Sequence, residues 1–333
     1  MRKRRSIKVC LTVVGFFVLV NMVLFTGVAR SEYPDKEITV LGMGDPGTTQ
    51  DTLIRALIIG ASNYLKQPIV IEYKTGSGGM LAAAFVAAAI PDGYTLCSLP
   101  SAAIVDGPLI RKVTYKPLKS FTPITVFAMS EHTGTLVAND APWNTFEEFV
   151  DYSKKNPGKV KMGISFGSGM HIAMEVVAQQ DNINWVFVPF TTGGPARTAV
   201  MGHHIDAVAS GADWPRFVQQ GQLRILVTHG RTRAPASPNV PNLIELGYNY
   251  AGAVLQSIIG PAGLPPDVVA ILETAFVKGM ETPEFKTAVQ KVYQTPFYLN
   301  SKGYDSYLRE RWAEMEKLFK QLGIIKEAAT QPE

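Results

Sequence analysis

The chain has 333 residues, of which 46% are hydrophobic and 18% charged, a composition that excludes a disordered tail, a fibrous repeat and a small disulfide scaffold. The length fits two domains of ordinary size. The formal net charge is +4, but residues 1–31 hold six Lys and Arg and no acid, which leaves 26 basic and 28 acidic residues in 32–333. Because the body of the chain is weakly acidic, its charge gives no reason to expect a nucleic-acid partner.

Residues 1–31 have the features of a secretory signal peptide. A cationic start over 1–8 precedes an apolar run over 9–28, and Ala29-Arg30-Ser31 places small residues at −3 and −1 of a cut before Glu32. The apolar run is also long enough to span a bilayer, so an uncleaved anchor is the alternative. We expect a periplasmic body, tethered to the membrane if the signal stays. Cys97, the one cysteine left after cleavage, is predicted to be a buried small hydrophobe.

Strands and helices alternate along the rest of the chain. Apolar runs bounded by turn residues predict strands at 37–43, 69–74, 94–99, 134–139, 160–165, 185–190, 205–210, 223–229 and 253–260. Helical spacing predicts helices at 51–65, 80–90, 146–155, 170–180, 196–201, 267–280, 283–293 and 301–322. Thr145 and Glu148 form a capping box before the helix at 146–155. The alternation indicates an α/β protein built on a mostly parallel sheet.

Three of the predicted strands end in a loop of Gly, Ser and Thr that opens a helix. The loops are Gly47–Asp51, Ser165–Gly169 and Thr191–Pro195, and Gly76–Gly79 is similar. Such a loop offers backbone N–H groups at the positive end of a helix, which suits an anion. Each loop taken alone is more typical of ordinary helix capping than of a ligand site. Since they occur in both halves of the chain, and ligands of α/β sheets lie beyond the carboxyl ends of strands, they favour one shared cleft.

An enzymatic interpretation rests on Gly163, Ser165 and Gly167, which match the G-x-S-x-G nucleophile elbow. Asp206 or Asp213, followed by His229, would complete a hydrolase triad. The following helix, however, is predicted to begin about four residues beyond Ser165, too late for an elbow. No spacing of Cys, His or carboxylate side chains indicates a metal site. We therefore expect no catalytic residue, no metal and no cofactor, with a secreted serine hydrolase as the alternative.

A series of short motifs carries a family resemblance. In chain order they include Tyr33-Pro34-Asp35, Pro46-Gly47, Gly76-Ser77-Gly78-Gly79, Pro91-Asp92-Gly93-Tyr94, Lys116-Pro117-Leu118, Gly167-Ser168-Gly169 with His171, Gly193-Gly194-Pro195, and Pro261-Ala262-Gly263. With these motifs in this order, residues 33–325 resemble the Bug-type extracytoplasmic solute receptors of tripartite tricarboxylate transporters. The resemblance implies a periplasmic binding protein-like (type II) α/β fold, with two domains joined by a hinge and a ligand cleft between them. Its closed form would deliver the ligand to a membrane permease.

The resemblance also implies the domain boundaries and the ligand-binding residues. Domain 1 would comprise 32–125 plus 251–333 and domain 2 would comprise 126–250, with hinge strands near 122–129 and 253–260. The implied ligand-binding residues are Gly47, Thr48, Thr49, Ser101, Ser165, Gly167, Ser168, His171, Thr191, Thr192 and Gly193. The expected ligand is a small organic carboxylate, which could be a di- or tricarboxylate, an aromatic acid or an amino acid. The receptor is expected to be a monomer.

Four positions depart from the family pattern. Gly44 replaces an aromatic residue in the first loop, Asp45 follows it, and Ser210 and Leu255 stand where Asp and Trp are common. The pocket should therefore differ from those of relatives. Because none of the cleft loops contains Arg or Lys, we expect binding through backbone dipoles, hydroxyls and His171 rather than a buried ion pair. Trp214, which follows Asp213 in the sequence, is expected either to offer a stacking face to the ligand or to pack in the core.

Overall fold

The structure is a computed structural model that describes residues 33–325. The predicted signal peptide lies outside the described residues. Residues from Lys36 onward form one unit by their contacts, and the two sheets described below belong to that unit. Among the described helices, none is long and apolar enough to cross a membrane.

The first sheet is built from both ends of the chain. Its strands are β1 (Ile38–Gly42), β2 (Ile69–Tyr73), β3 (Thr95–Pro100), β4 (Phe121–Ser130), β10 (Val254–Pro261) and β11 (Thr295–Asn300). They lie in the order β11-β4-β10-β3-β1-β2. β1 pairs in parallel with β2 and β3, whereas β10 runs antiparallel to β3 and β4.

The second sheet is built from the middle of the chain. Its strands are β5 (Gly134–Ala138), β6 (Lys161–Ile164), β7 (Val186–Pro189), β8 (Ala207–Ser210) and β9 (Leu223–Thr228), in the order β7-β6-β8-β5-β9. β6 is parallel to β7 and β8, and β5 is antiparallel to β8 and β9. Each sheet therefore has a parallel βαβαβ core. In the first sheet β10 and β11 run antiparallel to the strands they pair with, and in the second sheet β5 does.

Helices connect the strands and cover the sheets. They are α1 (Thr49–Leu65), α2 (Met80–Ala87), α3 (Ser101–Ile104), α4 (Asp106–Ile110), α5 (Phe146–Lys155), α6 (Gly169–Asp181), α7 (Gly193–Met201), α8 (Pro215–Gln219), α9 (Pro266–Glu281), α10 (Pro283–Lys291) and α11 (Ser301–Gln321), with a 3₁₀ turn at Ser77–Gly79. α5 begins at the predicted residue because Thr145 Oγ1 accepts from Glu148 N at 3.2 Å, while Glu148 Oε2 accepts from Asn144 N at 2.6 Å. The start of this helix is thus set by local sequence.

The chain passes between the sheets at two connections. β4 stays in the first sheet as far as Ser130, and β5 opens the second sheet four residues later, at Gly134. The return runs from the end of β9 at Thr228 to the start of β10 at Val254. These passages lie close to the domain boundaries inferred from the sequence, which remain predictions. The same strand order in both sheets, apart from β11 at one edge, is that of a type II periplasmic binding protein.

Several sequence expectations need correction. The sheets are mixed rather than mostly parallel, because β10 runs antiparallel between β3 and β4, and β5 runs antiparallel between β8 and β9. β11 was not anticipated, since Pro296 and an alternation of exposed and half-buried residues conceal an edge strand. The helix at 80–90 ends at Ala87, and Ile90 beyond it is 73% exposed. The prediction that Cys97 is a buried small hydrophobe is confirmed, because Cys97 is fully buried on β3. Burial also raises the pKa of its thiol.

Candidate functional site

Strand order fixes where the functional loops meet. In the second sheet the chain leaves β6 toward β7, whereas β8 lies on the other side of β6. The first sheet repeats this arrangement with β1, β2 and β3. Ligands of open α/β sheets lie at such a change of direction, beyond the carboxyl ends of the strands. Every loop predicted to bind ligand follows β1, β3, β6 or β7, and therefore lies at one of these two edges.

Loops of the two sheets touch each other at glycines. A Cβ on Gly78, in the turn after β2, would lie 2.9 Å from the carbonyl oxygen of Phe166 and 3.1 Å from the nitrogen of Ser168. A Cβ on Gly107 of α4 would lie 3.1 Å from the carbonyl oxygen of Gly167. Arg111 lies over the Phe166 ring at 5.0 Å. We call this region, where the loops after β2 and β3 meet the loop after β6, the inter-sheet boundary.

The first turn of α1 already contains an anion. Thr48 caps the helix by accepting from Asp51 N, and Asp51 Oδ2 accepts from Gly47 N at 2.7 Å. Tyr73 and Arg55 also donate to the Asp51 carboxylate. Burial raises the pKa of Asp51, but the hydrogen bonds from Gly47, Tyr73 and Arg55 outweigh it, so the pKa lies below its ordinary value. The negative charge therefore stays at this helix end, where groups of the protein itself hold it.

The remaining predicted residues of the first sheet lie beside this turn. Thr49 is the first residue of α1 and is half-buried. Ser101 begins α3 at the end of β3, is 3% exposed, and its Oγ accepts from Leu255 N at 3.2 Å. Asp45 is exposed, and its carbonyl oxygen accepts from Thr48 Oγ1 at 2.8 Å. Ser101 thus joins the floor of the first sheet to β10, the strand that enters from the other half.

The loop after β6 opens α6 with no acid in the first turn. Ser168 is the N-cap, and its Oγ accepts from His171 N at 3.3 Å. Gly167 has a positive φ of 75° and donates from its backbone N to His171 Nδ1 at 3.2 Å. The positive helix end here is not neutralised by a neighbouring carboxylate, in contrast to α1. Ser165 is half-buried, and its carbonyl oxygen accepts from Ser168 N at 3.1 Å.

His171 lies beneath this loop rather than on its surface. The residue is 1% exposed, and its ring lies 4.8 Å from that of Phe166 and 5.1 Å from that of Phe187, measured between centroids. Because Nδ1 accepts from Gly167, the neutral ring carries its proton on Nε2, which lies 3.1 Å from Glu175 Oε1. The side chain therefore fixes the conformation of the loop that the sequence analysis assigned to the ligand.

The loop after β7 opens α7, again with no acid in the first turn. Thr191 is exposed and Thr192 is the N-cap, but the Thr192 side chain makes no capping hydrogen bond. Beside Gly193, the space that a Cβ would fill contains only the guanidinium tip of Arg197, with Nη1 at 3.2 Å. A Cβ built on Gly194 would have no atom within 4 Å. This helix end is thus open, with a cation beside it.

Arg197 was missed by the sequence analysis, which expected no buried ion pair at the cleft. The side chain is 7% exposed, and Nη1 and Nη2 donate to the two carboxylate oxygens of Asp213 at 3.1 and 3.0 Å. Nη1 also donates to Ser210 Oγ at 3.0 Å, at the carboxyl end of β8. Arg197 lies one turn beyond Gly193, so a cation can lie beside the loop without belonging to it. The Gly193–Arg197 spacing was the available signal, whereas Asp213 comes from a distant segment.

The hydrolase triad is not assembled. His229 is fully buried, and its two ring nitrogens lie 3.1 Å from Thr133 Oγ1 and 3.0 Å from Thr135 Oγ1. Burial lowers the pKa of His229 to about 3. Asp213 is paired with Arg197 and Arg216. No general base therefore faces Ser165 from these residues.

Asp206 was the alternative acid of the triad, and two roles were considered for Trp214. Both side chains make hydrogen bonds within the fold. Asp206 Oδ2 accepts from the backbone nitrogen of Lys161 at 2.7 Å. Trp214 is 1% exposed and donates from Nε1 to the carbonyl oxygen of His132 at 2.6 Å. Of the two roles considered for Trp214, core packing is the one observed.

Comparison with known proteins agrees with this architecture. The family model described as "Tripartite tricarboxylate transporter family receptor" matches residues 53–324. A Cupriavidus necator protein described as "UPF0065 protein in gbd 5'region" is 31% identical over 297 residues, covering 89% of this chain and 90% of the relative.

Solved structures give the same fold. One described as a periplasmic transporter is 29% identical, with a TM-score of 0.80 over 89% of this chain and 100% of the other. A Rhodopseudomonas palustris protein with bound malate is 24% identical, with a TM-score of 0.78 over 86% of this chain and 99% of the other. The fold, the motif series and the family match agree, and the chain therefore belongs to the tripartite tricarboxylate transporter receptor family of solute-binding proteins.

Proposed function

We propose that this receptor works in the periplasm, where it captures a small organic carboxylate at the inter-sheet boundary and delivers it to a tripartite membrane permease. The observation that carries the proposal is the pair of helix N-termini, α6 and α7, at the carboxyl edge of the second sheet with no acid in either first turn. Backbone N–H groups at such positions suit a carboxylate. The malate bound by the Rhodopseudomonas palustris relative is an acid of this class.

Within this site the second sheet supplies the principal anion contacts. The hydroxyl of Ser168 and the first backbone N–H groups of α6 would hold one carboxylate, with Ser165, Gly167, Thr191, Thr192 and Gly193 around it. His171 acts as a positioning residue, because its Nδ1 holds the Gly167 N–H from beneath the loop. Gly47, Thr48, Thr49 and Ser101 would close the site from the first sheet. A carboxylate next to α1 is less favourable, since Asp51 occupies that helix end.

Binding would couple to a hinge motion. The two passages between the sheets leave β4 and β10 as the strands on which residues 126–250 can turn against 32–125 plus 251–333. Because loops of both halves line the site, a solute that contacts both stabilises the closed arrangement. A monomer suffices for this cycle.

The first test is a thermal-shift screen of the purified protein against small dicarboxylates, tricarboxylates, aromatic acids and amino acids. A ligand at 100 times its dissociation constant should stabilise the fold by about 2.7 kcal/mol, which raises the melting temperature by several degrees. A shift with carboxylates and none with their amides or esters would support the proposal. Ester turnover that disappears in Ser165→Ala would contradict it.

Replacing Ser168 with alanine should weaken binding of the best acid from that screen by about 1–3 kcal/mol, because the carboxylate loses a hydroxyl donor. The same change removes the N-cap of α6, which costs about 0.5–2 kcal/mol of stability. Thr145→Ala is the matched control, because Thr145 caps α5 as Ser168 caps α6. Each hydroxyl oxygen accepts from the backbone nitrogen three residues on, at 3.2 Å for Thr145 and 3.3 Å for Ser168. Both variants should lose stability in denaturant titrations, whereas only Ser168→Ala should lose affinity in calorimetry. Equal affinities for Ser168→Ala and the parent protein would remove this loop from the site.

A further inference from the structure

The loop that opens α6 is contacted by a cation from an element of the other sheet. Phe166, in the middle of this loop, is half-buried, and its ring packs against that of His171 at 4.8 Å between centroids. The guanidinium of Arg111 lies over the same ring, 5.0 Å from its centroid. A guanidinium within about 6 Å of a ring centroid is attracted by the negative face of the ring. The Phe166 ring therefore joins the loop both to its own helix and to the first sheet.

The position of Arg111 allows this contact to form and break. Arg111 directly follows α4, which lies between β3 and β4 of the first sheet, whereas Phe166 follows β6 of the second sheet. The Arg111 side chain is exposed, so the guanidinium can leave the ring without stranding a buried charge. The contact is thus of a kind that the two halves can make on closing and lose on opening.

The backbone beside Arg111 is strained at one residue. Ser77 has a φ of +49°, and Gly76, Gly78 and Gly79 around it have φ between +61° and +135°. Glycine adopts such a backbone at little cost, but serine does not. Ser77 Oγ accepts from Arg111 Nη1 at 3.5 Å, a contact that a glycine at this position would lack. Since strained residues cluster at ligand-binding and switch regions, Ser77 is a second, independent indication that the position of Arg111 matters.

Arg111 has one further effect that must be separated from the ring contact. It is followed by Lys112, and both side chains are exposed. Two exposed cations near an anion site accelerate the approach of an anion by long-range attraction. That attraction is common to both residues and is screened by salt, with a Debye length of about 10 Å at 0.1 M. The ring contact acts only at short range and belongs to Arg111.

We propose that Arg111 is a positioning residue for the bound solute: in the closed receptor its guanidinium, supported by Ser77, lies on the Phe166 ring and holds the loop at 165–169 against the acid. This assignment rests on the proposed function, in which that loop contacts the solute. It concerns how the solute is retained rather than which acid it is. Because release requires the guanidinium to leave the ring, the contact acts chiefly on the dissociation rate.

The test measures association and dissociation rates of the best acid from the thermal-shift screen, by surface plasmon resonance with the purified receptor immobilised. Arg111→Gln and Lys112→Gln each remove one exposed charge, so both should slow association at low salt. Only Arg111→Gln should release the acid faster, by about 2- to 5-fold, the range expected for a cation–π contact at an exposed site. In about 0.5 M salt the effect on association should disappear in both variants, whereas the faster release should remain.

A double-mutant cycle tests whether Arg111 acts through the ring. Phe166→Leu removes the ring and keeps an apolar side chain, and any direct contact of residue 166 with the solute cancels in the cycle. Arg111→Gln should speed release in the parent protein but not in the Phe166→Leu background. Equal acceleration in both backgrounds would overturn the proposal, because Arg111 would then act without the ring.

Ser77→Gly separates retention of the solute from stability of the fold. It relieves the left-handed serine, so the melting temperature of the ligand-free protein should stay the same or rise. Release should nevertheless become faster, because Arg111 loses the hydroxyl that supports it. If the acid left Arg111→Gln and Ser77→Gly as slowly as the parent protein, the assignment would be overturned and the carboxylate receptor would stand. If no acid bound the parent protein, the proposed function itself would fail, and this assignment with it.

Discussion

Replacing Arg311 with methionine is expected to lower the free energy of unfolding by about 3–5 kcal/mol. Arg311 on α11 is 7% exposed, and its Nε lies 3.3 Å from Oδ1 of Asp106, which is 3% exposed. The variant would leave the Asp106 carboxylate buried without its cation, and such a carboxylate costs far more than a surface ion pair contributes. Urea or guanidinium titration followed by circular dichroism measures the change.

Arg309→Met is the matched control on the same helix. Arg309 also pairs with an aspartate, Asp305, at 2.8 Å, but the two side chains are 58% and 43% exposed. Exposed pairs of this kind contribute about 0–1 kcal/mol. A loss of stability in Arg311→Met no larger than that in Arg309→Met would show that the buried pair is not a principal stabilising contact.

The loss in Arg311→Met should also depend on pH. Burial raises the pKa of Asp106 above its ordinary value, and Arg311 opposes that rise. Without Arg311 the folded-state pKa climbs further, so the folded protein holds a proton that the unfolded chain has released. Both folded forms hold this proton above the ordinary pKa, so the stability of the variant relative to the parent falls as pH rises from the folded-state pKa of the parent toward the higher one of the variant, by up to about 1.4 kcal/mol per pH unit. Denaturant titrations at about pH 4.5 and 7.5 should therefore give the smaller difference at the lower pH, and equal differences would contradict this account.

The sequence predicted the elements whose signals are local. α5 begins at the predicted residue because its capping box spans only Asn144 to Glu148. The start of α6, four residues beyond Ser165, was likewise predictable from the Gly-Ser-Gly loop, and it argues against a nucleophile elbow. In these cases the deciding contacts join residues within one turn of each other.

Other features depend on contacts between distant segments. β11 is held by antiparallel pairing with β4, and its own residues are mostly exposed, so no apolar run marked it. His171 is buried because Phe187, from β7, closes over it. The Arg197–Asp213 pair brings together α7 and the segment after β8, and neither residue alone indicates a buried ion pair. The candidate loops were therefore identifiable one by one from the sequence, but the side chains behind the loops were not.

Replacing Gly78 with alanine tests whether the contact between loops of the two sheets contributes to ligand binding. Its φ is +61°, and a Cβ there would press on backbone atoms at 2.9–3.2 Å in the loop at 166–168. Backbone atoms cannot rotate away as a flexible side chain can, so in Gly78→Ala the loop after β6 must move from the first sheet. Overpacking of this kind costs about 1–3 kcal/mol. If closure on the solute makes this contact and the open form lacks it, as the proposed hinge motion requires, affinity should fall roughly 5- to 100-fold.

A control must separate this contact from the strain of a left-handed alanine. Gly263 has a similar φ of +88° with no atom within 4 Å of its Cβ position, so Gly263→Ala carries the backbone strain of about 1–2 kcal/mol without a collision. Both variants should lose stability, but only Gly78→Ala should bind the best acid more weakly in calorimetry. Small-angle scattering at saturating acid should then show a larger radius of gyration for Gly78→Ala than for the parent protein. Unchanged affinity and radius would mean that the solute is held without the Gly78 contact, so that closure would have to occur elsewhere between the two sheets.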